Sequence, residues 1–447
     1  MADAPLPPGE TGLPVLGETL SLLKNGFAFV EAGARKYGPI FKTNVFGRTT
    51  AVITGPNASA LFIDSSRVQR SGSMPSHIQT LFAGRSLPLL DGQEHGDRKH
   101  FVMAAFTREA LTSYLPTMQR IVSESIGQWS AGGEVRLFDE FKRLAIETIA
   151  VTMLGLSRGP TLEKVLADYG LVGGGFASLP IPLPGTAYTR AKQALARILA
   201  VLETCVREHQ ASPKDDGLSR ILAARTEDGR GISIEDAKRE LHHIVVAGLI
   251  VWAWFVGAIL ELSRRPDLRE KLMDEIRRSN PEGPLTLETL GTMHELQRIS
   301  MEIRRLSPVV YVFFGKARET FEFEGFTVSK GWAVLWGHRS SHIRPEIYSE
   351  PEEFDPSRFS PSRAEHLRHE HAFVPNGAGP FMGHKCAGYE FAPLFLQVFL
   401  VELYRAFDVV IAQPQDLGLD WSRVPPEPKE GLRARVKRRQ QKKSCFT

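Results

Sequence analysis

The chain has few cysteines and almost no net charge. Its 447 residues contain 3 cysteines, Cys205, Cys386 and Cys445, which are too few to form a disulfide framework for a chain of this length. Lys and Arg number 55 against 51 Asp and Glu, so the formal charge is only +4. Nucleic-acid binding needs concentrated positive charge, and we therefore expect no nucleic acid among the partners.

The sequence also lacks a start typical of secretion, because no basic segment is followed by an apolar run. One apolar run is long enough to be considered as a membrane span, at residues 244–260. Basic pairs flank it on both sides (Lys238 and Arg239, then Arg264 and Arg265), so no charge asymmetry favours insertion. A helix through the middle of a soluble core is also apolar on every face. We therefore predict a buried core helix, no transmembrane anchor and a cytoplasmic protein.

Helical patterns dominate the chain, and strand patterns are confined to a few stretches. Residues 38–55 alternate apolar and polar side chains around a Gly-Arg turn, which predicts a hairpin, and short strands are predicted again within 309–337. Helices are predicted over 108–130, 137–156, 189–209, 217–226, 234–262, 266–278 and 293–306, and from Cys386 to Phe407. This pattern is typical of a mainly α fold with a small β region. Nothing separates two cores, so we expect one domain over 1–447.

Cys386 follows a glycine-rich loop and precedes a predicted helix. The segment FVPNGAGPFMGHKCAGYEFA runs from Phe373 to Ala392, and its glycines and prolines disfavour a helix before the cysteine. A thiol at a helix N-terminus meets free N–H groups and the positive end of the helix dipole, which favour the thiolate. Such a thiolate is a strong metal ligand and donates electron density to a haem iron. Taken alone, the motif fits a buried structural cysteine equally well.

Two further motifs are individually ordinary. Glu302 and Arg305 are three residues apart on a predicted helix, so they share a face and can form an ion pair. Such a pair is usually a solvated surface bridge that contributes little to stability. Arg358 lies in FDPSRF (354–359), a segment that by itself predicts only a turn.

In their order and spacing, these motifs resemble the cytochrome P450 family. Glu-x-x-Arg on a helix is followed by short strands, by HIRPEIYSEPEEFDPSRF and by the glycine-rich cysteine loop. The segments PPG and YGPIFKT resemble the family's N-terminal strands, and SLPIPLPGTAYTRAKQA (178–194) resembles its substrate-access region. The resemblance covers nearly the whole chain, and the pattern is most similar to the branch of retinoid and steroid hydroxylases.

The resemblance implies the cytochrome P450 fold and one b-type haem (iron protoporphyrin IX), with Cys386 as the axial thiolate and metal ligand. It also implies that Glu302, Arg305 and Arg358 form a buried charge network beside the haem. The residues that match the family's haem-binding positions are His95, Lys99, Lys316, His384, Phe373 and Gly379. Several propionate-binding positions are arginine in typical members, so we expect a weaker or pH-sensitive set of cations here. His95 alone is equally well interpreted as a helix-surface residue.

The loop before the cysteine departs from the family's usual Phe-x-x-Gly-x-Arg-x-Cys-x-Gly. His384 takes the arginine position, Met382 takes the glycine position, and the nearest matching phenylalanine is Phe373, thirteen residues before the cysteine. The loop is therefore lengthened. It is similar to the loops of peroxide-using members, which include fatty-acid peroxygenases and allene oxide synthases.

The central helix lacks the family's proton-relay residues. Monooxygenase members carry Ala/Gly-Gly-x-Asp/Glu-Thr there, whereas this chain reads Ala-Gly-Leu-Ile-Val over 247–251. The residues predicted to lie at the distal catalytic site are Ala247, Gly248, Ile250 and Val251. Neither Ile250 nor Val251 can donate or accept a proton, so protons must reach the oxygen site by another route.

Three kinds of activity remain open. The protein uses a peroxide or lipid hydroperoxide; or it uses dioxygen, with water or a substrate hydroxyl as relay and a ferredoxin or reductase as partner; or it is an isomerase, a lyase or a non-catalytic haem binder. Fatty-acid peroxygenases hold the substrate carboxylate with an arginine of this helix, and none occurs between His243 and Glu261, which counts against a close copy of them. The default expectation is monooxygenation of a lipophilic isoprenoid-, steroid- or fatty-acid-like molecule.

Overall fold

Helices occupy most of the chain in the computed structural model, which describes residues 4–14, 16–176, 178–280, 282–307, 309–420, 423 and 425–439. Cys445 lies outside the described residues. The α-helices are α1 (Thr19–Tyr37), α2 (Pro56–Ile63), α3 (Ser76–Leu81), α4 (Gly92–Met103), α5 (Arg108–Ala131), α6 (Leu137–Leu154), α7 (Pro160–Phe176), α8 (Ala187–Ala211), α9 (Gly217–Ala223), α10 (Ile234–Leu249), α11 (Trp252–Arg264), α12 (Pro266–Ser279), α13 (Leu287–Thr292), α14 (His294–Leu306), α15 (Arg339–His342) and α16 (Phe391–Ala406). Short 3₁₀ helices lie at Leu87–Leu89, Ala104–Phe106, Pro356–Phe359, Glu365–Leu367 and Ala387–Tyr389.

The strands form several small sheets. They are β1 (Ile40–Val45), β2 (Arg48–Thr54), β3 (Val68–Gln69), β4 (Glu134–Arg136), β5 (Phe313–Ala317), β6 (Phe321–Phe323), β7 (Phe326–Val328), β8 (Ala333–Gly337), β9 (Phe407–Ile411), β10 (Leu419–Asp420), β11 (Glu427–Pro428) and β12 (Arg433–Arg438). The largest described sheet has the order β1-β2-β8-β5-β3, and a second has the order β4-β12-β9. β2 and β8 run parallel, whereas β1 and β2 form the predicted antiparallel hairpin.

The five-stranded sheet is covered on both faces, which explains why its strands are largely apolar. The hairpin turn at Phe46 and Gly47 has positive φ at both residues (53° and 69°), the conformation that matches the twist of the two strands. Phe62 of α2 packs on one face, and Leu22 of α1 packs on the other. The sheet therefore holds α2 and the start of β3 in fixed positions beside the cysteine loop.

Most helices have the predicted bounds to within a few residues. The central helix is the main exception. One helix was expected over 234–262, but α10 ends at Leu249 and α11 begins at Trp252. Across the break, the N–H of Val251 donates to the carbonyl of Gly248 (3.2 Å), and the N–H of Trp254 donates to the carbonyl of Val251 (2.9 Å). These i→i+3 bonds tighten the chain into a 3₁₀-like turn.

The apolar run of this helix pair is packed inside the protein. Ile234–Arg264 is the one stretch of helix among the described residues that is long and apolar enough to cross a membrane, and most of its apolar window is buried against other elements. Phe255 of α11 packs on Phe141 of α6 (ring centroids 5.7 Å apart) and on Phe399 of α16 (4.5 Å). Such burial by neighbouring helices is what a core helix shows.

Candidate active site

Cys386 lies at the start of a 3₁₀ turn that leads into α16. Its N–H donates to the carbonyl oxygen of Asn376 (3.2 Å), and its own carbonyl accepts from the N–H of Tyr389 (3.2 Å). A side chain at Gly388 would place its Cβ 3.9 Å from the Cys386 sulfur, so the backbone approaches the sulfur closely there. The regular helix begins only at Phe391, later than predicted, and the sulfur meets the N–H of Gly388 in the tight turn instead.

Two buried cations lie near this sulfur. Burial leaves the pKa of the Cys386 thiol raised, while the charge of Lys99, the N–H of Gly388 and the charge of Arg304 act in the opposite direction and reduce that rise. The Lys99 ammonium donates to the carbonyl of Lys385, the residue before the cysteine. Positive charge and N–H groups around a sulfur favour the thiolate, the form that binds metals.

The two predicted histidines lie together on one side of the cysteine. The ring centroids of His95 and His384 are 4.0 Å apart, and His384 Nε2 lies 3.7 Å from a carboxylate oxygen of Asp91. His95 is only 6% exposed, which excludes the helix-surface interpretation. Burial, with the nearby charges of His384 and Lys99, lowers the pKa of His95 to about 3, and burial also lowers the pKa of His384. Both rings are therefore neutral at pH 7.

Arg70 completes this cluster, and the sequence interpretation missed it. Its guanidinium lies 3.8 Å from the ring centroid of Phe62, and Nη2 donates to the Phe62 carbonyl (2.8 Å). Nη1 is buried and has no hydrogen-bond partner. Burial lowers the pKa of Arg70 to about 10, so it remains a cation at neutral pH. No signal in the sequence distinguishes it from the exposed Arg67.

Asp91 contacts both Arg70 and His384. Its carboxylate accepts the backbone N–H groups of Arg70 (2.9 Å) and Ser71 (2.7 Å). Burial raises the pKa of Asp91, but the nearby His384 ring and the hydrogen bonds from these N–H groups outweigh burial and bring it to about 2. Asp91 is therefore ionised, and it fixes the backbone that carries Arg70.

Lys316 lies on the other face of the five-stranded sheet. A side chain at Gly315 would point at Val68 and Phe62, and successive residues of a strand point to opposite faces. Lys316 therefore projects away from Phe62, whereas Arg70 lies over the Phe62 ring. The structure places Arg70, rather than Lys316, beside His95 and His384.

Phe373 and Gly379 shape the cysteine loop. The Phe373 ring centroid lies 5.4 Å from the guanidinium of Arg304 and 5.8 Å from the ring centroid of His342. Gly379 has a φ of +90°, a conformation that side chains rarely adopt, and packs against Ile63 of α2. The lengthened loop thus turns back onto α2 before it reaches the cysteine.

Glu302, Arg305 and Arg358 meet in a fully buried network. Arg305 forms a two-point pair with Glu302 (2.6 and 2.7 Å), and Nε of Arg358 donates to the same carboxylate (3.0 Å). Arg305 also donates to the carbonyls of His342, the last residue of α15, and of Pro351 in the long loop before the cysteine segment. The helix α14 and this loop are therefore joined by charged hydrogen bonds.

Glu365 is a fourth member of the network that the sequence did not reveal. It accepts from Arg358 Nη1 (2.9 Å), and its side chain is 1% exposed. Two carboxylates thus balance two guanidinium groups in the interior, which is the arrangement that buried charges require. Glu365 lies in an irregular segment, so no helical or strand spacing pointed to it.

The residues of the helix break have different surroundings. Ala247, Gly248 and Ile250 are partly exposed, whereas Val251 is 4% exposed and belongs to the packed core. A Cβ at Gly248 would lie 2.3 Å from Ile149 Cδ1, so this glycine allows α10 to approach α6 closely. The partly exposed side chains at the turn are apolar.

The donor set fits the haem that the resemblance implies. A haem needs an axial ligand and positively charged or hydrogen-bonding partners for its two propionate carboxylates. Cys386 supplies a sulfur in contact with an N–H group, and Arg70 supplies a buried charged N–H that lacks an acceptor. Lys99 and the two histidines lie in the same cluster. These residues are suited to hold a thiolate-ligated haem.

Comparisons with known proteins agree with this site. The family model for cytochrome P450 matches residues 7–421. The putative cytochrome P450 120 of Synechocystis sp. is 32% identical over 437 residues, which are 97% of this chain and 97% of that protein. A solved structure described as retinoic acid bound cyanobacterial CYP120A1 is similar with a TM-score of 0.90 at 31% identity, over 98% of this chain and all of that chain.

A more distant structure, cytochrome P450 OleT in complex with arachidonic acid, shares the fold with a TM-score of 0.82. Its identity is 21%, over 97% of this chain and 99% of that chain. The mainly α architecture with a small β region is thus the cytochrome P450 fold, as predicted. The extent of the family match and the identity to the Synechocystis protein show that the chain belongs to the cytochrome P450 family.

Proposed function

We propose that this oxidoreductase binds a b-type haem through the Cys386 thiolate and oxidises a lipophilic acid of the retinoid or fatty-acid kind. The observation that carries the proposal is the environment of the Cys386 sulfur, which meets the N–H of Gly388 in a tight turn beside two buried cations. A structural cysteine in an apolar core needs neither feature. The proposal includes one haem-binding unit over 1–447 and a cytoplasmic location.

Arg70 and Lys99 provide permanent charge for the haem propionates in this proposal, with His95 and His384 as neutral hydrogen-bonding partners. When bound, the haem supplies the oxidising chemistry by transferring oxygen from dioxygen or a peroxide to the substrate. The Glu302, Arg305 and Arg358 network holds α14 against the loop that carries Cys386. Its role is to keep the thiolate in place.

The substrate class rests on the apolar distal side and on the related proteins. Phe82, Phe176 and His243 bring partly exposed rings together from three segments, with the Phe82 and Phe176 centroids 5.1 Å apart. The stretch that resembles the family's access region exposes Leu179, Ile181 and Leu183. Retinoic acid and arachidonic acid, the molecules named for the two solved structures, are both long apolar molecules with one carboxylate.

The oxidant has two candidates. Monooxygenation with dioxygen, which requires electrons from a ferredoxin or reductase, is the usual reaction of the family. A hydroperoxide-dependent reaction is favoured by one specific observation, because Ala247, Leu249 and Ile250 place only apolar atoms at the helix break. A peroxide is already reduced by two electrons relative to dioxygen, so it needs no electron donor.

The experiment offers retinoic acid and arachidonic acid to the purified holoenzyme. Either acid should change the spin state of the ferric haem and then be converted to an oxidised product. Each reaction is run once with a ferredoxin, a reductase and NADPH, and once with a hydroperoxide and no reductant. Product only with electrons assigns monooxygenation, and product only with hydroperoxide assigns the second candidate. A spin-state change without any product in either assay would contradict both.

A further inference from the structure

Arg304, which stands beside Arg305 in the helix motif, is a buried cation that the charge network does not use. It is 5% exposed, and Nη2 donates to the side-chain oxygen of Asn376 (3.1 Å). Asn376 is the residue whose backbone carbonyl accepts the N–H of Cys386 (3.2 Å). One residue therefore connects the guanidinium to the ligand cysteine.

Aromatic rings, rather than carboxylates, surround this guanidinium. The ring centroids of Trp254, Phe373 and Tyr389 lie 5.6, 5.4 and 5.3 Å from it. Within the described ranges, no carboxylate oxygen lies within 4 Å of it, in contrast to Arg305 and Arg358. Its Nε is buried and has no hydrogen-bond partner.

A buried charge is costly unless an opposite charge compensates it. The neighbouring groups able to carry negative charge are the Tyr389 hydroxyl, the solvent-exposed Glu390 and the Cys386 sulfur. The Tyr389 ring offers its π face at 5.3 Å from the guanidinium, and solvent screens the carboxylate of Glu390. The thiolate is the remaining buried anion.

We propose that Arg304 is the counter-charge of the Cys386 thiolate and that it raises the reduction potential of the haem iron. This inference rests on the proposed ligation by Cys386. A fixed cation next to the sulfur draws electron density away from the iron and stabilises the ferrous state, which carries one positive charge less than the ferric state. Arginine suits this role because it stays charged when it is buried.

With this counter-charge beside it, the Cys386 sulfur donates less electron density to the iron. In thiolate-ligated haem proteins, strong donation of electron density by the thiolate favours cleavage of the O–O bond. Arg304 therefore makes the ferric iron easier to reduce. It also makes cleavage of the O–O bond depend more on the identity of the oxidant and less on the thiolate. This effect is consistent with the break between α10 and α11, where the partly exposed side chains are apolar and cannot donate a proton.

The test compares the midpoint potentials of full-length haem-loaded variants, measured by spectroelectrochemical titration. Arg304→Gln removes the charge and keeps a donor for Asn376. We expect the ferric–ferrous equilibrium to shift about tenfold toward the ferric form, which corresponds to about 59 mV for one electron. Arg304→Lys restores the charge and should restore most of the potential. Arg298→Gln, on the same helix but partly exposed and paired with Glu295, should leave the potential unchanged.

A second variant decides the matter if Arg304→Gln fails to take up haem. Asn376→Asp places a carboxylate on the guanidinium and gives it another partner, so the potential should fall in the same direction. An unchanged potential in Arg304→Gln, or in Asn376→Asp where the first variant is not haem-loaded, would overturn the proposal. Failure of the underlying ligation is separately visible, because the wild-type ferrous carbonyl would then lack the signature of sulfur ligation.

Discussion

Ile250 and Val251 are neighbours in the sequence but face different surroundings at the break between α10 and α11. Ile250 is partly exposed at the turn, whereas Val251 is 4% exposed and packs in the core. The tight i→i+3 turn separates their directions. In the proposed active site, a side chain that delivers protons to the oxygen site therefore has to replace Ile250.

We predict that Ile250→Thr raises the fraction of electrons recovered in product severalfold, because its hydroxyl can hold water near the oxygen site. Val251→Thr should leave this fraction unchanged, because its hydroxyl is enclosed in the core. Coupling is measured as product formed per NADPH consumed, together with released hydrogen peroxide. Improvement by Val251→Thr alone would refute the assignment of directions.

Glu302 is expected to be critical for stability. Glu302→Gln removes the carboxylate partner of the buried Arg305 and leaves Arg358 with Glu365 alone, and breaking a buried pair costs about 3–5 kcal/mol. Chemical unfolding of the holoenzyme measures this loss. Glu295→Gln, on the same helix and paired with the partly exposed Arg298, should cost less than about 1 kcal/mol. Equal losses in the two variants would contradict the network's role.

Arg70 is expected to control haem retention. Arg70→Met removes a charged donor whose Nη1 has no protein partner, and a hydrogen bond to a charged group contributes about 1.5–3 kcal/mol. Haem transfer to an excess of apomyoglobin should therefore become at least about tenfold faster. Arg67→Met serves as the control, because Arg67 is exposed and pairs with Asp64. Equal transfer rates in the wild type and Arg70→Met would show that Arg70 does not contact the haem.

The pair of His209 and Asp216 predicts a pH dependence of stability. His209 Nε2 lies 2.7 Å from Asp216, and both side chains are buried. Burial lowers the pKa of His209, but the hydrogen bond and charge of Asp216 outweigh burial and raise it above 6.5. Burial raises the pKa of Asp216, yet the hydrogen bond from His209 holds it below 3.8.

The contribution of the raised histidine is present in full below pH 6.5 and is lost as the pH rises through its folded pKa. The contribution of the carboxylate is present above pH 3.8 and is lost as the pH falls through its lowered pKa. We therefore expect the stability difference between the wild type and His209→Gln to be larger at pH 5.5 than at pH 8.5. Thermal unfolding at the two pH values measures it, and a larger difference at pH 8.5 would contradict the sign.

The sequence was sufficient for most of the helices and for the hairpin, because their apolar periodicity is strong. It did not predict the break at Ile250, since the apolar run is continuous and contains no proline. Sequence spacing also did not predict which residues from distant parts of the chain meet in the fold. Arg70 joins His95 through sheet packing, and Glu365 joins Arg358 through an irregular segment.

The motif from Glu302 to Arg305 shows what spacing in the sequence can predict and what it cannot. Its pairing follows from helical spacing, but its burial follows from the loops that cover α14, and spacing alone suggested a surface bridge. Arg304 was visible as a charge within the motif, yet only the structure shows its contact with Asn376. Tertiary contacts, rather than local patterns, decide which charges serve the site.

The ligation of haem by Cys386 is tested most directly by the absorption spectrum of the ferrous carbonyl adduct. The wild type and Cys205→Ala should both show the strongly red-shifted Soret band of sulfur ligation, because Cys205 is buried away from the site in α8. Cys386→Ala should lose this band. A red-shifted band that persists in Cys386→Ala, or its absence from the wild type, would contradict the assignment of Cys386 as the ligand.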